Sequence, residues 1–203
     1  MPHISIRFSR GVRVLHLSMT LGVLLQLVSE QLMEVPKPGE TIQPMEALFL
    51  TLHEWNGFVV LGIAFFYLMY LANDGDEWKR LFPWLGVDGC KGLWREIRTD
   101  IPGWIQGRLR PPTEAHYLAG TVHGMSILLM IGLGSTGILI FMGLESSGEM
   151  SEDIRLLRNL HANLGTLMWI YLFGHAGMGL LHQLKGHHVL EQMFSLGADR
   201  PRP

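Results

Sequence analysis

Four apolar segments, each as long as a membrane-spanning helix, limit what this chain can become: about Val12 to Met33, Ala47 to Leu71, Tyr117 to Gly143 and Leu160 to Leu184. A helix rises about 1.5 Å per residue, so about 20 apolar residues cross the hydrocarbon core. In hydrocarbon every backbone N–H and C=O needs a partner, and segments of this length meet that demand as helices. The expected fold is therefore all-α, an integral membrane four-helix bundle read as a single domain over 1–203. Composition agrees, with 48% hydrophobic and 17% charged residues. A net charge of −2 argues against a nucleic-acid partner.

Four spans return both termini to one side. Lys and Arg divide thirteen to three between the two sides. Arg7, Arg10 and Arg13, seven residues in the 72–116 connection, and Lys185, Arg200 and Arg202 fall on one side; Lys37, Arg155 and Arg158 fall on the other. Positive residues favour the cytoplasm, so both termini and the long connection between helices 2 and 3 are expected inside. The N-terminal run follows arginines as a signal peptide would, but it is long, holds His16 and lacks a small-residue cleavage site; it is read as a retained span. The 72–116 insert carries Trp78, Trp84, Trp94 and Trp104 among charges and prolines. It is expected at headgroup level, with a short amphipathic helix near Gly92 to Asp100.

Histidine is costly in hydrocarbon unless something satisfies it. His161 and His175 bound the stretch "HANLGTLMWIYLFGH", fourteen residues apart. Over that distance a helix advances about 21 Å and returns nearly to the same face. His16, in "RVLHL", lies near the inner start of the first span, and His53, in "TLHEW", near the outer start of the second. Pairing by depth sets His53 with His161 and His16 with His175. Two neutral imidazoles facing across a bundle are the axial set of a bis-histidine b-type haem. Cys90 is the only cysteine, so there is no Cys-x-x-Cys-His attachment and no cysteine set for an iron–sulfur or thiolate zinc site.

Gly57, Gly165 and Gly179 each follow one of these histidines by four positions, on the same helical face, where a missing side chain leaves room for a flat macrocycle. Glycine in membrane helices also serves close packing, and the small residues of "GLGSTG" in the third span suit a helix contact. Arg13, three residues before His16, and Arg158, three before His161, are candidates for pairing haem propionates.

The segment "LHANLGTLMWIYLFGHAGMGLLHQLKGHHVLEQMF", residues 160–194, resembles the last span of the bacterial four-helix dihaem cytochromes b. That group includes the membrane subunits of nickel–iron hydrogenases and formate dehydrogenases. The resemblance extends to "RVLHLSM", "LHEWNGFVVLGIAFFYLMY" and "HGMSILLMIGLGSTGILI", and so covers all four spans. It implies two haem b with the pairing that depth gives, in a multi-pass protein of the bacterial inner membrane. It further implies a subunit of a quinone-linked respiratory oxidoreductase, passing electrons between the quinone pool and a periplasmic oxidoreductase subunit or cytochrome.

Reduction of a quinone also requires protons, and imidazoles titrate in the useful range. His116, His123 and His182 all lie on the inner side, near His16 and His175, and are the candidates for proton exchange. His187 and His188 are assigned to a turn after the fourth span. Two other classes of function compete: a haem-free membrane anchor, and a histidine-based metal-ion transporter. The spans hold few carboxylates, Glu30 and Glu54 near their ends, and no inverted repeat.

Overall fold

The computed structural model describes residues 10–37, 40–73, 75–111, 117–143 and 151–194, and among these there is no strand. Among the described residues seven α-helices follow in order: α1 (Arg10–Leu32), α2 (Pro44–Ala72), α3 (Gly75–Leu81), α4 (Val87–Ile105), α5 (Tyr117–Gly143), α6 (Glu152–Leu184) and α7 (Val189–Phe194), with a 3₁₀ turn at Pro83–Leu85. Helices α1, α2, α5 and α6 are long and apolar enough to cross a membrane. The fold is thus the expected all-α class.

Helices α6 and α4 are longer than the sequence reading gives. Helix α6 starts at Glu152, eight residues before the apolar run, because Ser151 caps it: its hydroxyl accepts from the Ile154 N–H at 3.4 Å. Glu152 and Asp153 then lie in the first turn, where the helix dipole favours acids. A helix of 33 residues is about 50 Å long, so its polar first turns extend past a hydrocarbon core of about 30 Å. Helix α4 covers Val87–Ile105 rather than only Gly92 to Asp100. Helix α2 begins at Pro44 behind a capping box in which the Gln43 N–H donates to Glu46 Oε2 at 2.9 Å. Helix α6 ends in a turn closed by the His187 N–H on the His182 carbonyl (3.0 Å) and the Gly186 N–H on the Gln183 carbonyl (3.0 Å). Gly186 sits at φ 81°, the left-handed position that glycine adopts without strain.

The residues group into two units. One comprises Met19–Asn73 and Met125–Leu172; the other comprises Met1–Ser18, Asp74–Gly124 and Phe173–Pro203. In the first, α1 and α2 approach closely at Gly22, where a Cβ would stand 2.7 Å from Val60 Cγ2. Asn56 crosses the same contact, its amide donating to the Gly22 carbonyl (2.8 Å) and to Gln26 Oε1 (2.7 Å). The small residues of "GLGSTG" make their contacts within the chain: Gly132 faces Leu164, Gly134 faces Leu61 and Gly137 faces His161.

In the second unit, the insert is docked on the start of α5. Both carboxylate oxygens of Glu96 accept from the first backbone N–H groups of α5, those of Tyr117 (3.1 Å) and Leu118 (2.8 Å). An acid there satisfies orphan donors and meets the positive end of the helix dipole. The absent side chain of Gly92 makes room for the Tyr117 ring. Gly120 and Gly124 admit the backbone carbonyls of Arg80 and Leu81, at the end of α3, where any Cβ would collide with them. This small-xxx-small pair receives a helix end rather than a second membrane helix. Asp100, nearly buried, pairs with Arg110 at 3.2 Å and ties down the chain after α4.

Glu96→Ala should destabilise the solubilised protein by about 1–2 kcal/mol through the lost cap, and Gly124→Ala by about 1–3 kcal/mol through overpacking. Thermal unfolding in mild detergent checks both. Unchanged midpoints in both variants would mean that the insert does not dock on α5.

Candidate functional site

In the unit built from Met19–Asn73 and Met125–Leu172, the rings of His53 on α2 and His161 on α6 stand 6.2 Å apart, centre to centre, with planes at 73°. Each imidazole is fixed at Nδ1. Thr136 on α5 has one hydroxyl proton, and its oxygen lies 2.8 Å from the Gly132 carbonyl and 3.0 Å from that of Leu133, acceptors only. The same oxygen is 2.8 Å from His161 Nδ1. With its own proton given to the backbone, Thr136 accepts, so His161 carries its proton on Nδ1 and its lone pair on Nε2.

His53 is held in the same way from α1. Its Nδ1 lies 3.2 Å from the Gln26 carbonyl and 3.2 Å from Ser29 Oγ. Ser29 is fully buried and donates to the Leu25 carbonyl at 2.6 Å. Both partners of His53 are therefore acceptors, and its Nε2 likewise bears the lone pair.

A cavity of about 360 Å³ adjoins the two rings. Gly57 and Gly165 line it as the spacing suggested, joined by Gly134 and Gly137 of α5. No side chain or distant backbone lies within 4 Å of where a Cβ of Gly165 would be, whereas a Cβ on Gly137 would reach His161 Cε1 at 3.3 Å. The cavity has a charged part formed by Glu30, Glu34, Lys37, Glu54 and Arg158. Arg155 lies outside it, paired with Glu152 at 3.6 Å in an exposed contact.

In the other unit, His16 on α1 and His175 on α6 are again 6.2 Å apart, with planes at 47°. His123 on α5 stands edge-on to His175 at 5.1 Å, and Phe194 on α7 meets His16 at 5.6 Å. His123 donates from Nδ1 to the Ala119 carbonyl at 2.7 Å, which leaves its lone pair on Nε2. Arg13 is buried one turn before His16. Gly179 faces Leu190 of α7, with a hypothetical Cβ at 3.5 Å from its methyl, so here the small residue serves packing between helices. His182 pairs with His187 across the turn that ends α6, Nδ1 to Nδ1 at 2.8 Å. His188 binds Glu191 at 3.1 Å. His116 lies outside the described residues.

Sequence reasoning placed the four paired histidines and passed over Gln26, Ser29, Thr136 and Phe194. The available signal for the two hydroxyls was a Ser or Thr within an apolar run, "LVSE" and "GLGSTG", in a chain whose spans also hold histidine.

Fold and site together define a multi-pass helical membrane protein with imidazoles brought together in pairs. The family model described as prokaryotic cytochrome b561 matches residues 7–196, nearly the whole chain. No curated protein and no solved structure matches. The chain belongs to the prokaryotic cytochrome b561 family: bacterial membrane proteins that bind haem b and transfer electrons.

Proposed function

We propose that this protein is a dihaem b-type cytochrome of the bacterial inner membrane, carrying electrons between the quinone pool and a periplasmic redox partner or enzyme subunit. His53 and His161 would hold one haem, and His16 and His175 the other. The observation that carries the reading is the repeated ring spacing. Two metal–imidazole bonds of about 2.0–2.1 Å, with about 1.1 Å from each ring nitrogen to its ring centre, set facing rings about 6 Å apart. Both pairs stand at 6.2 Å.

The donor chemistry fits as well. His53 and His161 are neutral imidazoles locked with Nε2 unprotonated, the form that ligates iron. The cavity beside them leaves backbone open to a flat ligand at Gly165, and Arg158 in its lining suits a propionate. Arg13 is the corresponding candidate beside His16. Haem b, when bound, supplies a one-electron couple whose potential follows its axial ligands and their hydrogen bonds. Helix α6 contributes one ligand to each pair, fourteen residues apart on one uninterrupted helix. The distribution of Lys and Arg supports an orientation with both termini and the insert in the cytoplasm.

The quinone is assigned to the neighbourhood of His16 and His175, because His123 adjoins that pair, its ring 5.1 Å from that of His175, and an imidazole can exchange protons near neutrality. His182 and His116 are secondary candidates for proton exchange.

Three outcomes follow. A pyridine haemochrome assay should return two haem b per chain in the wild type and one in His161→Ala or His175→Ala; no haem in the wild type, under adequate haem supply, would leave a haem-free anchor or a metal-ion transporter. Thr136→Val removes the hydroxyl acceptor of His161 and leaves the Leu133 carbonyl near its ring, weakens that imidazole as a donor to the metal, and should raise the midpoint potential of one haem by up to roughly 40 mV, the one-electron equivalent of about 1 kcal/mol. Ser29→Ala should act in the same direction on the haem held by His53, the Gln26 carbonyl still accepting from that ring; equal potentials in all three proteins would show that these hydroxyls do not tune a haem. His123→Ala should slow quinol-dependent haem reduction in stopped-flow traces while both haems are retained, and an unchanged rate would move the quinone away from His123.

A further inference from the structure

We propose that the outward side of α4 binds the anionic phospholipid headgroups of the membrane this chain spans. The Glu96 cap fixes the level of the helix: its carboxylate sits on the first N–H groups of α5, so the middle of α4 lies where a membrane-length helix begins.

The two faces of α4 are arranged opposite to those of a helix on a water-facing surface. Its packed side carries Gly89, Gly92, Glu96 and Asp100, spaced three or four apart: Gly89 against the Pro83 backbone, Gly92 against Tyr117, Glu96 on α5 and Asp100 on Arg110. Its outward side carries Val87, Trp94 and Ile101 at intervals of seven, then Ile105, a spacing that keeps one helical face. These four are 71, 55, 41 and 84% exposed. Lys91, Arg95 and Arg98, all exposed, are interleaved with them. The Arg98 guanidinium lies 4.7 Å over the Trp94 ring, which holds that charge flat against the apolar surface.

An outward face of large apolar groups mixed with cations suits the boundary between acyl chains and headgroups, where the apolar side chains insert and the cations meet phosphate. Two of the three carboxylates of α4, Glu96 and Asp100, are turned inward and engaged, so Asp88 alone opposes the three cations on its exposed surface. The charge balance therefore selects an anionic lipid over a zwitterionic one. This lipid site depends on neither the number of haems nor the quinone.

The test uses the haem-loaded protein in phosphatidylcholine bilayers doped with spin-labelled phosphatidylglycerol or spin-labelled phosphatidylcholine. The immobilised fraction should favour phosphatidylglycerol by at least about twofold, less so at high salt, and the preference should fall toward unity in K91Q/R95Q/R98Q with the haem spectrum unchanged. Because all three residues are exposed, the triple variant leaves the packed face intact. In parallel, lipids brominated near the headgroup should quench the emission component lost in W94F. A wild type without lipid preference, a preference untouched by the triple variant, or an unquenched Trp94 overturns the proposal. Shielding of Trp94 by a co-purifying protein instead of lipid also overturns it, and reassigns the face to a subunit contact.

Discussion

An imidazole inside an apolar helix has an N–H that must be given to an acceptor, and around His53 and His161 the answer to that demand organises both packing and chemistry. Ser29 and Thr136 each sit within hydrogen-bond distance of a carbonyl four residues back on their own helix and of the histidine on a neighbouring one. A hydroxyl has one proton, and the carbonyl takes it, so each histidine must donate. The consequence is a fixed tautomer and a fixed ring plane. Because donor and acceptor lie on different helices, the same bonds tie α1 to α2 and α5 to α6. The rings cannot be reoriented without loosening the helices that carry them.

Glycine answers a second constraint, the closeness of backbones, and its roles separate by what each would meet. Gly57, Gly165, Gly134 and Gly137 line the cavity beside His53 and His161, and only Gly165 has open space where its side chain would be. Gly120 and Gly124 are different: they make room for the backbone carbonyls at the end of α3, where a side chain would collide. Gly179 belongs with neither group, since it faces Leu190. Three occurrences of His-x-x-x-Gly thus resolve into two glycines beside a cavity and one at a helix contact.

What the sequence made legible follows from how strict each physical rule is. The four spans were readable because lipid tolerates almost no unsatisfied backbone, so an apolar run of span length leaves few alternatives. The start of α6 was not, because Ser151, Glu152 and Asp153 make a good helix beginning out of polar residues that a hydropathy argument discards. Helix α4 was read too short for a related reason: cations interleave with its apolar positions and glycine and acid occupy its packed side, so no apolar face points to the chain interior. The pairing of histidines was readable from depth along the spans. The partners of Nδ1 were not, since which hydroxyl reaches which ring depends on helix rotation, about which Ser29 and Thr136 say nothing in sequence.

The two histidine pairs share a spacing and differ in surroundings, and that difference has chemical weight. His53 and His161 give their Nδ1 protons to buried oxygen acceptors, which strengthens each imidazole as an electron donor to any metal it holds. Around His16 and His175 the neighbours are rings: Phe194 against one and a third imidazole, His123, against the other. In the dihaem reading axial identity would be common to both sites, so the polarity of the surroundings would set any difference in potential between them. Helix α6 thus carries a histidine into each pair, fourteen positions apart, with different neighbours around the two.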